Sequence, residues 1–382
     1  MRSGFFIFEP MDAIYLDNAA TTSVHPEVLT AMFEAASVYG NPSSLHGAGR
    51  KAKAMREWVR KQIAAYFKVS SGEVYFTSGA TEANNIAISS ALKLGEINRV
   101  ITSELEHASV LSPCRYFAEL YGKELVYVPH DHLGRLDLAF LAEVLKKGPA
   151  LIALMHGNNE IANINPIEKI GALSAASGSI FHSDIVQSVA LTSIDPGQLG
   201  LDSFSFSAHK FHGPKGLGVL VASKKLKPSG VYFGGGQEKG VKPGTENMMG
   251  VVGLGKAFEL LVQQKEERRR QLQELKQHAV VQLKAHIPGV VFNGDLQEGL
   301  PSILNFQVPT ERALDMVLLA LDLQGIHVSG GSACSSGSAK GSHVIEALEG
   351  SKIGPSIRIS FSAFNTLEEV DFMVKQVQLL VG

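Results

Sequence analysis

Phe76-Thr77-Ser78-Gly79-Ala80-Thr81-Glu82-Ala83 runs from the end of a strand, through a turn of small residues, into the start of a helix. The strand, 73–77, is rich in β-branched and aromatic residues, and helical sequence follows over 82–93. Outward from this unit the same alternation repeats. Strand-like runs stand at 99–102, 125–128, 151–155 and 179–182, with a helix over 109–120 and a further apolar run at 216–222. Strands separated by helices require crossovers, which give a mostly parallel sheet covered on both faces. The expected fold class is therefore α/β, with a large domain over residues 20–265.

The character changes after Gly250. A long helical stretch, 257–284, carries Lys265-Glu266-Glu267-Arg268-Arg269-Arg270, which reads as a solvated face. Shorter strands follow at 290–292, 302–307, 326–329 and 356–360, with helices over 311–323 and 367–380. This is the pattern of a smaller α+β domain, formed by residues 1–19 and 266–382. The strand 14–16 suits either domain. Thirty-five basic and thirty-seven acidic residues give a formal charge of −2, so charge offers no case for a nucleic-acid partner. No apolar run approaches the roughly 18–20 residues needed to span a bilayer. Residues 5–8 are too short for the apolar core of a secretion signal, and residues 1–11 read as a dispensable extension. Two cysteines make no disulfide framework, which points to a cytoplasmic protein.

Chemistry-bearing residues recur where strands end. In the opening stretch, free backbone N–H groups and Thr81 suit an anion, though a plain capped helix fits equally well. His107 follows the strand 99–102, and Asn159 follows 151–155. Asp184 follows 179–182, with Gln187 one helical turn on. Lys210 closes Ser205-Phe206-Ser207-Ala208-His209-Lys210; a desolvated lysine there is a plausible Schiff-base amine. Each residue alone has a bland reading as a cap, a turn or a solvated side chain. Together they suit a planar, phosphorylated cofactor with a cationic ring, namely pyridoxal 5′-phosphate. No Walker lysine and no Gly-x-Gly-x-x-Gly stands at a strand–helix junction, so ATP and NAD readings are weak.

At this point the sequence resembles the NifS/IscS-like cysteine desulfurases, in the class V aminotransferase group of fold-type I pyridoxal-phosphate enzymes. The matching motifs are Tyr15-Leu16-Asp17-Asn18-Ala19-Ala20-Thr21-Thr22, Gly40-Asn41-Pro42-Ser43-Ser44, residues 78–82, Asn158-Asn159-Glu160-Ile161 and Asp184-Ile185-Val186-Gln187-Ser188. Residues 205–210, Gly213-Pro214-Lys215-Gly216, Gly244-Thr245-Glu246-Asn247, residues 330–338 and Ser356-Ile357-Arg358 complete the set, in the family's order over nearly the whole chain. The resemblance implies a pyridoxal-phosphate-dependent transferase fold, with a mostly parallel seven-stranded sheet and a smaller α+β domain carrying an active-site cysteine loop near 328–343. It implies that Lys210 carries the cofactor, Asp184 pairs with the ring nitrogen, Gln187 meets the ring hydroxyl and His107 stacks on the ring. Ala80, Thr81, Ser207 and His209 would line the phosphate, joined by Thr245 from the other subunit of a homodimer. Asn159, beside the cofactor, and Arg358 would hold the carboxylate of L-cysteine.

Cys334 lies in Ser329-Gly330-Gly331-Ser332-Ala333-Cys334-Ser335-Ser336-Gly337-Ser338, too rich in Gly and Ser to pack as core. Its family counterpart takes sulfur from L-cysteine as a persulfide and releases alanine; His107 would move protons on the thiols. Cys114, inside a helical run, reads as structural. The sulfur acceptor or scaffold protein is open, and an iron–sulfur cluster transiently on Cys334 is the one metal contact envisaged. His209 and His212 have His-x-x-His spacing but no accompanying ligand cluster. Lys242 stands where many relatives have arginine, which loses a bidentate fork. The rivals are a selenocysteine lyase, another class V aminotransferase, or a non-catalytic sulfur carrier that has kept the fold.

Overall fold

The computed structural model describes residues 13–331, 342–348 and 353–381. After a short strand β1 (Ile14–Tyr15), helices α1 (Pro26–Ala36) and α2 (Gly47–Tyr66) lead into β2 (Val74–Thr77) and α3 (Ala80–Leu92). The alternation continues through β3 (Arg99–Thr102), α4 (Ala108–Leu120), β4 (Glu124–Tyr127), α5 (Leu138–Leu145), β5 (Leu151–Ala153), α6 (Ile167–Ser177) and β6 (Ile180–Asp184). Then β7 (Ser203–Ser207) and β8 (Gly218–Ala222) pair directly.

These strands form a seven-stranded sheet in the order β2-β8-β7-β6-β5-β3-β4. All neighbours are parallel except β8, which runs antiparallel to both β2 and β7. Residues 208–217 are too few for the crossover of about a dozen residues that a parallel pair needs. The C-terminal ends of β2, β3, β5, β6 and β7 therefore lie along one side of the sheet, where open α/β sheets bind ligands.

Alternation decides which face each residue of β7 meets. Phe204 and Phe206 pack against Phe67 with ring centroids 4.8 and 5.7 Å away, and Phe258 joins the same cluster. Ser203 and Ser205 turn to the opposite face and lie in register with His182 and Asp184 of β6. Two strands thus lay a polar stripe under α3.

Helix α7 (Met248–His286) begins earlier than its apolar pattern indicates and runs for 39 residues. Beyond it, β9 (Val291–Asn293), β10 (Ile303–Gln307), α8 (Leu314–Asp322), β11 (Ile326–His327), α9 (His343–Ala347), β12 (Ser356–Ser360) and α10 (Leu367–Val381) build the smaller α+β layer. Its sheet is antiparallel in the order β12-β10-β9, and β1 pairs in parallel with β11. Val251, Leu254 and Leu261 of α7 belong to the core of the large sheet, whereas Leu272, Leu275 and Leu283 belong to the second core. The charged run on α7 departs from the expected solvated face. Lys265 and Arg268, three positions apart, are both turned inward and buried. Lys265 Nζ finds the Thr192 carbonyl and the Tyr66 hydroxyl.

Candidate active site

A cavity of about 420 Å³ opens at the strand ends. Its walls bring together Thr81, His107, Asn159, Asp184, Gln187 and Lys210, residues drawn from five different strand–loop junctions. Ala80, Ser207, His209 and Arg358 line the same space. Thr245 does not; it is exposed elsewhere on the surface. Cys334 lies outside the described residues. Cys114 is buried in α4 as expected, and burial raises its thiol pKa.

One end of the cavity is the start of α3. Its N-cap Gly79 provides no side-chain cap, so the first backbone N–H groups of the helix are available to a ligand. The Ser78 N–H is taken by Glu82 Oε2 at 2.5 Å. Gly79 packs so closely on β8 that a Cβ on Gly218 would stand 2.5 Å from the Gly79 carbonyl carbon. Thr81 lies in the first turn, and a Cβ on Gly79 would stand 3.8 Å from Ser207 Oγ; His209 lines the same cavity. The positive end of the helix dipole and these donors suit an anion.

Asp184 forms the floor. Its Oδ1 accepts the Val186 N–H at 2.9 Å and its Oδ2 accepts the Asn84 amide at 2.9 Å. No lysine or arginine is ion-paired with it among the described residues. A buried carboxylate with only neutral donors suits a cationic ring atom. Lys210 Nζ donates to the carbonyls of Ala19 at 2.5 Å and Ala20 at 2.8 Å. Gln187 Nε2 reaches the same Ala19 carbonyl at 3.0 Å.

His107 is the N-cap of α4. Its Nδ1 accepts the Ser109 N–H at 3.1 Å and lies 2.8 Å from Ser109 Oγ. An accepting Nδ1 places the proton of the neutral ring on Nε2. Burial lowers the His107 pKa; Asp184 opposes that shift and Lys210 adds to it. Burial likewise brings His209 to about 4, with Nδ1 3.2 Å from Thr21 Oγ1. His212 is engaged separately, with Nδ1 2.9 Å from the Ser23 carbonyl. Arg358 is buried and committed in part: Nη2 pairs with Asp17 Oδ1 at 2.8 Å, and Nη1 donates to the Asn159 carbonyl at 2.9 Å. Its Nε is buried with no partner among the described residues.

Sequence reasoning quoted residues 15–22 but gave them no role. In the structure Ala19, Ala20 and Thr21 wall the cavity directly beneath Lys210. It also missed Asn84, His182 and Ser205, which stand behind Asp184.

A model of the family described as aminotransferase class-V matches residues 14–373. The chain is 40% identical over 375 residues to a putative cysteine desulfurase IscS 1 of Bacillus subtilis, covering 96% of this chain and 98% of that protein. It is 38% identical over 373 residues to a cysteine desulfurase IscS of Dictyoglomus turgidum, covering 96% and 94%. Among solved structures, a NifS-like protein superposes with a TM-score of 0.89 at 32% identity, covering 96% of this chain and 99% of that one. A structure described as SspA in complex with cysteine superposes with a TM-score of 0.80 at 30% identity, covering 92% and 100%.

Proposed function

Because this chain belongs to the aminotransferase class-V family, we propose a division of labour among its residues for a pyridoxal 5′-phosphate-dependent cysteine desulfurase. The enzyme mobilises the sulfur of L-cysteine. The observation that carries the assignment is the convergence on one cavity of a lysine amine, a carboxylate with no cationic partner among the described residues, an imidazole and a helix start with no side-chain cap.

The anion end, at α3 with Thr81, Ser207 and His209, would hold the cofactor's phosphate. Asp184 would hold the ring nitrogen, Gln187 the ring hydroxyl and Lys210 the aldehyde carbon. When bound, pyridoxal 5′-phosphate supplies an electron sink that stabilises negative charge at the substrate Cα. Lys210 Nζ would serve as the base that accepts the substrate Cα proton. The His107 ring packs over the site and exchanges a proton through Nε2 with the substrate thiol. Its lowered pKa keeps it neutral at physiological pH and able to do so. Asn159 and the Arg358 fork orient the substrate carboxylate, with Arg358 sharing its hold on Asp17. The Cys334 thiolate then takes the sulfur atom as a persulfide, and the substrate carbon skeleton leaves as alanine.

A second copy of the chain completes the site. Tyr39, Leu45 and Phe233 are almost fully exposed, and Leu45 shares a depression with Gly236 and Glu246, beside Thr245. Covering that face would bring Thr245 to the phosphate end of the partner's cavity. The persulfide passes to an acceptor protein in the cytoplasm. No described helix is long and apolar enough to cross a membrane.

Incubation with L-cysteine tests the assignment. Alanine should form, and the peptide containing Cys334 should gain one sulfur atom. Lys210→Ala should abolish the visible absorption of the loaded enzyme and slow alanine formation by about a hundredfold to ten-thousandfold. A Cys334 peptide of unchanged mass in an enzyme that still makes alanine would refute the persulfide step.

A further inference from the structure

We propose that Asn84, which does not line the cavity, is the positioning residue that fixes both Asp184 and His107. The inference rests on the reading of the cavity as a pyridoxal 5′-phosphate site. Asn84 is fully buried in the interior of α3, an uncommon place for a residue that competes with helical backbone. Its side chain makes four hydrogen bonds to described residues. Ser205 Oγ lies 2.5 Å and His182 Nε2 3.0 Å from its Oδ1. Its Nδ2 stands 2.9 Å from Asp184 Oδ2 and 3.0 Å from Ser109 Oγ.

Only one arrangement of protons satisfies this set. Asp184 Oδ2 is an acceptor, so the Asn84 NH₂ must face it and Oδ1 must face Ser205 and His182. Both of these then donate. His182 carries its proton on Nε2, and its Nδ1, 2.9 Å from Ser203 Oγ, accepts from that hydroxyl. On the other side, Ser109 Oγ accepts from Asn84 and so turns its own proton to His107 Nδ1, at 2.8 Å. The chain of bonds starts on β7 and β6, passes through one amide, and ends on the two groups that meet the cofactor ring. Asn84 therefore sets where the Asp184 carboxylate points, and it holds His107 with Nε2–H turned away from α4. The inner members Asn84, His182, Ser203 and Ser205 are fully buried, whereas Asp184, Ser109 and His107 carry the network to the cavity wall.

Asn84→Asp keeps the shape but sets a carboxylate against Asp184, whereas Asn84→Ala removes the node. Both variants are loaded with pyridoxal 5′-phosphate, and their visible absorption is titrated against pH. The midpoint should shift from wild type by about one pH unit or more. For alanine formation, kcat should fall by about tenfold or more while KM for L-cysteine stays within about threefold. Ser205→Ala, which leaves His182 as the sole donor to Oδ1, is the milder variant should the others fail to fold. It should shift the midpoint by less than Asn84→Ala does. Folded variants that titrate like wild type would overturn the role of Asn84. Wild-type enzyme that develops no visible absorption with the cofactor would instead overturn the reading of the cavity.

Discussion

Glu106 sits one residue before His107, wholly buried, with its Oε1 accepting the Met155 N–H at 2.8 Å. Its Oε2 has no partner among the described residues. Burial raises its pKa well above the usual carboxylate range, only partly opposed by that hydrogen bond. The folded protein thus keeps a proton that the unfolded chain releases above about pH 4.3. Stability from this group is present below that pH and is lost as pH rises toward the folded pKa. Glu106→Gln keeps the acceptor for Met155 and removes the titration. Urea denaturation should find it more stable than wild type by about 1 kcal/mol or more at pH 8, with a smaller difference at pH 5. Equal gains at both values would contradict the argument. At this scale the sequence was readable wherever a polar residue stands close to the C-terminal end of a strand, as with His107, Asp184 and Lys210. It was not readable for Asn84. That residue and Asp184 are a hundred positions apart and meet only once β6 and β7 are in register beneath α3.

Strand β2 is an edge of the large sheet, and its outer backbone groups are answered by side chains. Glu238 Oε2 accepts the Phe76 N–H at 3.0 Å, and Arg60 Nη1 donates to the Val74 carbonyl. The two residues also pair with each other, Arg60 Nη2 to Glu238 Oε1 at 2.6 Å, and both are buried. The pair stands where another strand would, which blocks edge-to-edge association. Glu238 and its neighbour Lys239 hold φ of 45° and 59° to reach this position. Glu238→Ala removes the buried partner of Arg60, leaving only the more exposed Glu57 at 3.2 Å from its Nε, and should cost about 3 kcal/mol, read from the urea midpoint. It should also make the protein self-associate in mild denaturant, seen by light scattering. A loss within about 1 kcal/mol would place the pair among ordinary surface bridges. The succession of elements was legible because β-branched runs alternate with helical ones. The reversed direction of β8 was not drawn from that pattern, although the short connection after Lys210 carried the signal.

His156, His182 and His212 are buried, and burial brings their pKa values to about 4, about 3 and about 4. In the unfolded chain each titrates near 6.5. The folded values are the lower ones, so their contribution to stability is full above about pH 6.5 and is lost as pH falls toward 4. Each histidine removes about 1.4 kcal/mol per pH unit within that window. The thermal midpoint should therefore drop steeply between pH 6.5 and 5; a constant midpoint there would refute it. The change of element length after Gly250 is legible in the sequence, but the passage of one helix between two buried clusters is not. Apolar spacing on α7 shifts from one partner to the other without a break in the helix.

That continuity has a consequence for how heat takes the molecule apart. A rod of 39 residues, about 58 Å long, is a structural member of both halves. Neither half can melt by itself without stripping the rod of one set of neighbours, and a helix so deprived frays into the other half. A calorimeter should record one endothermic peak rather than a pair.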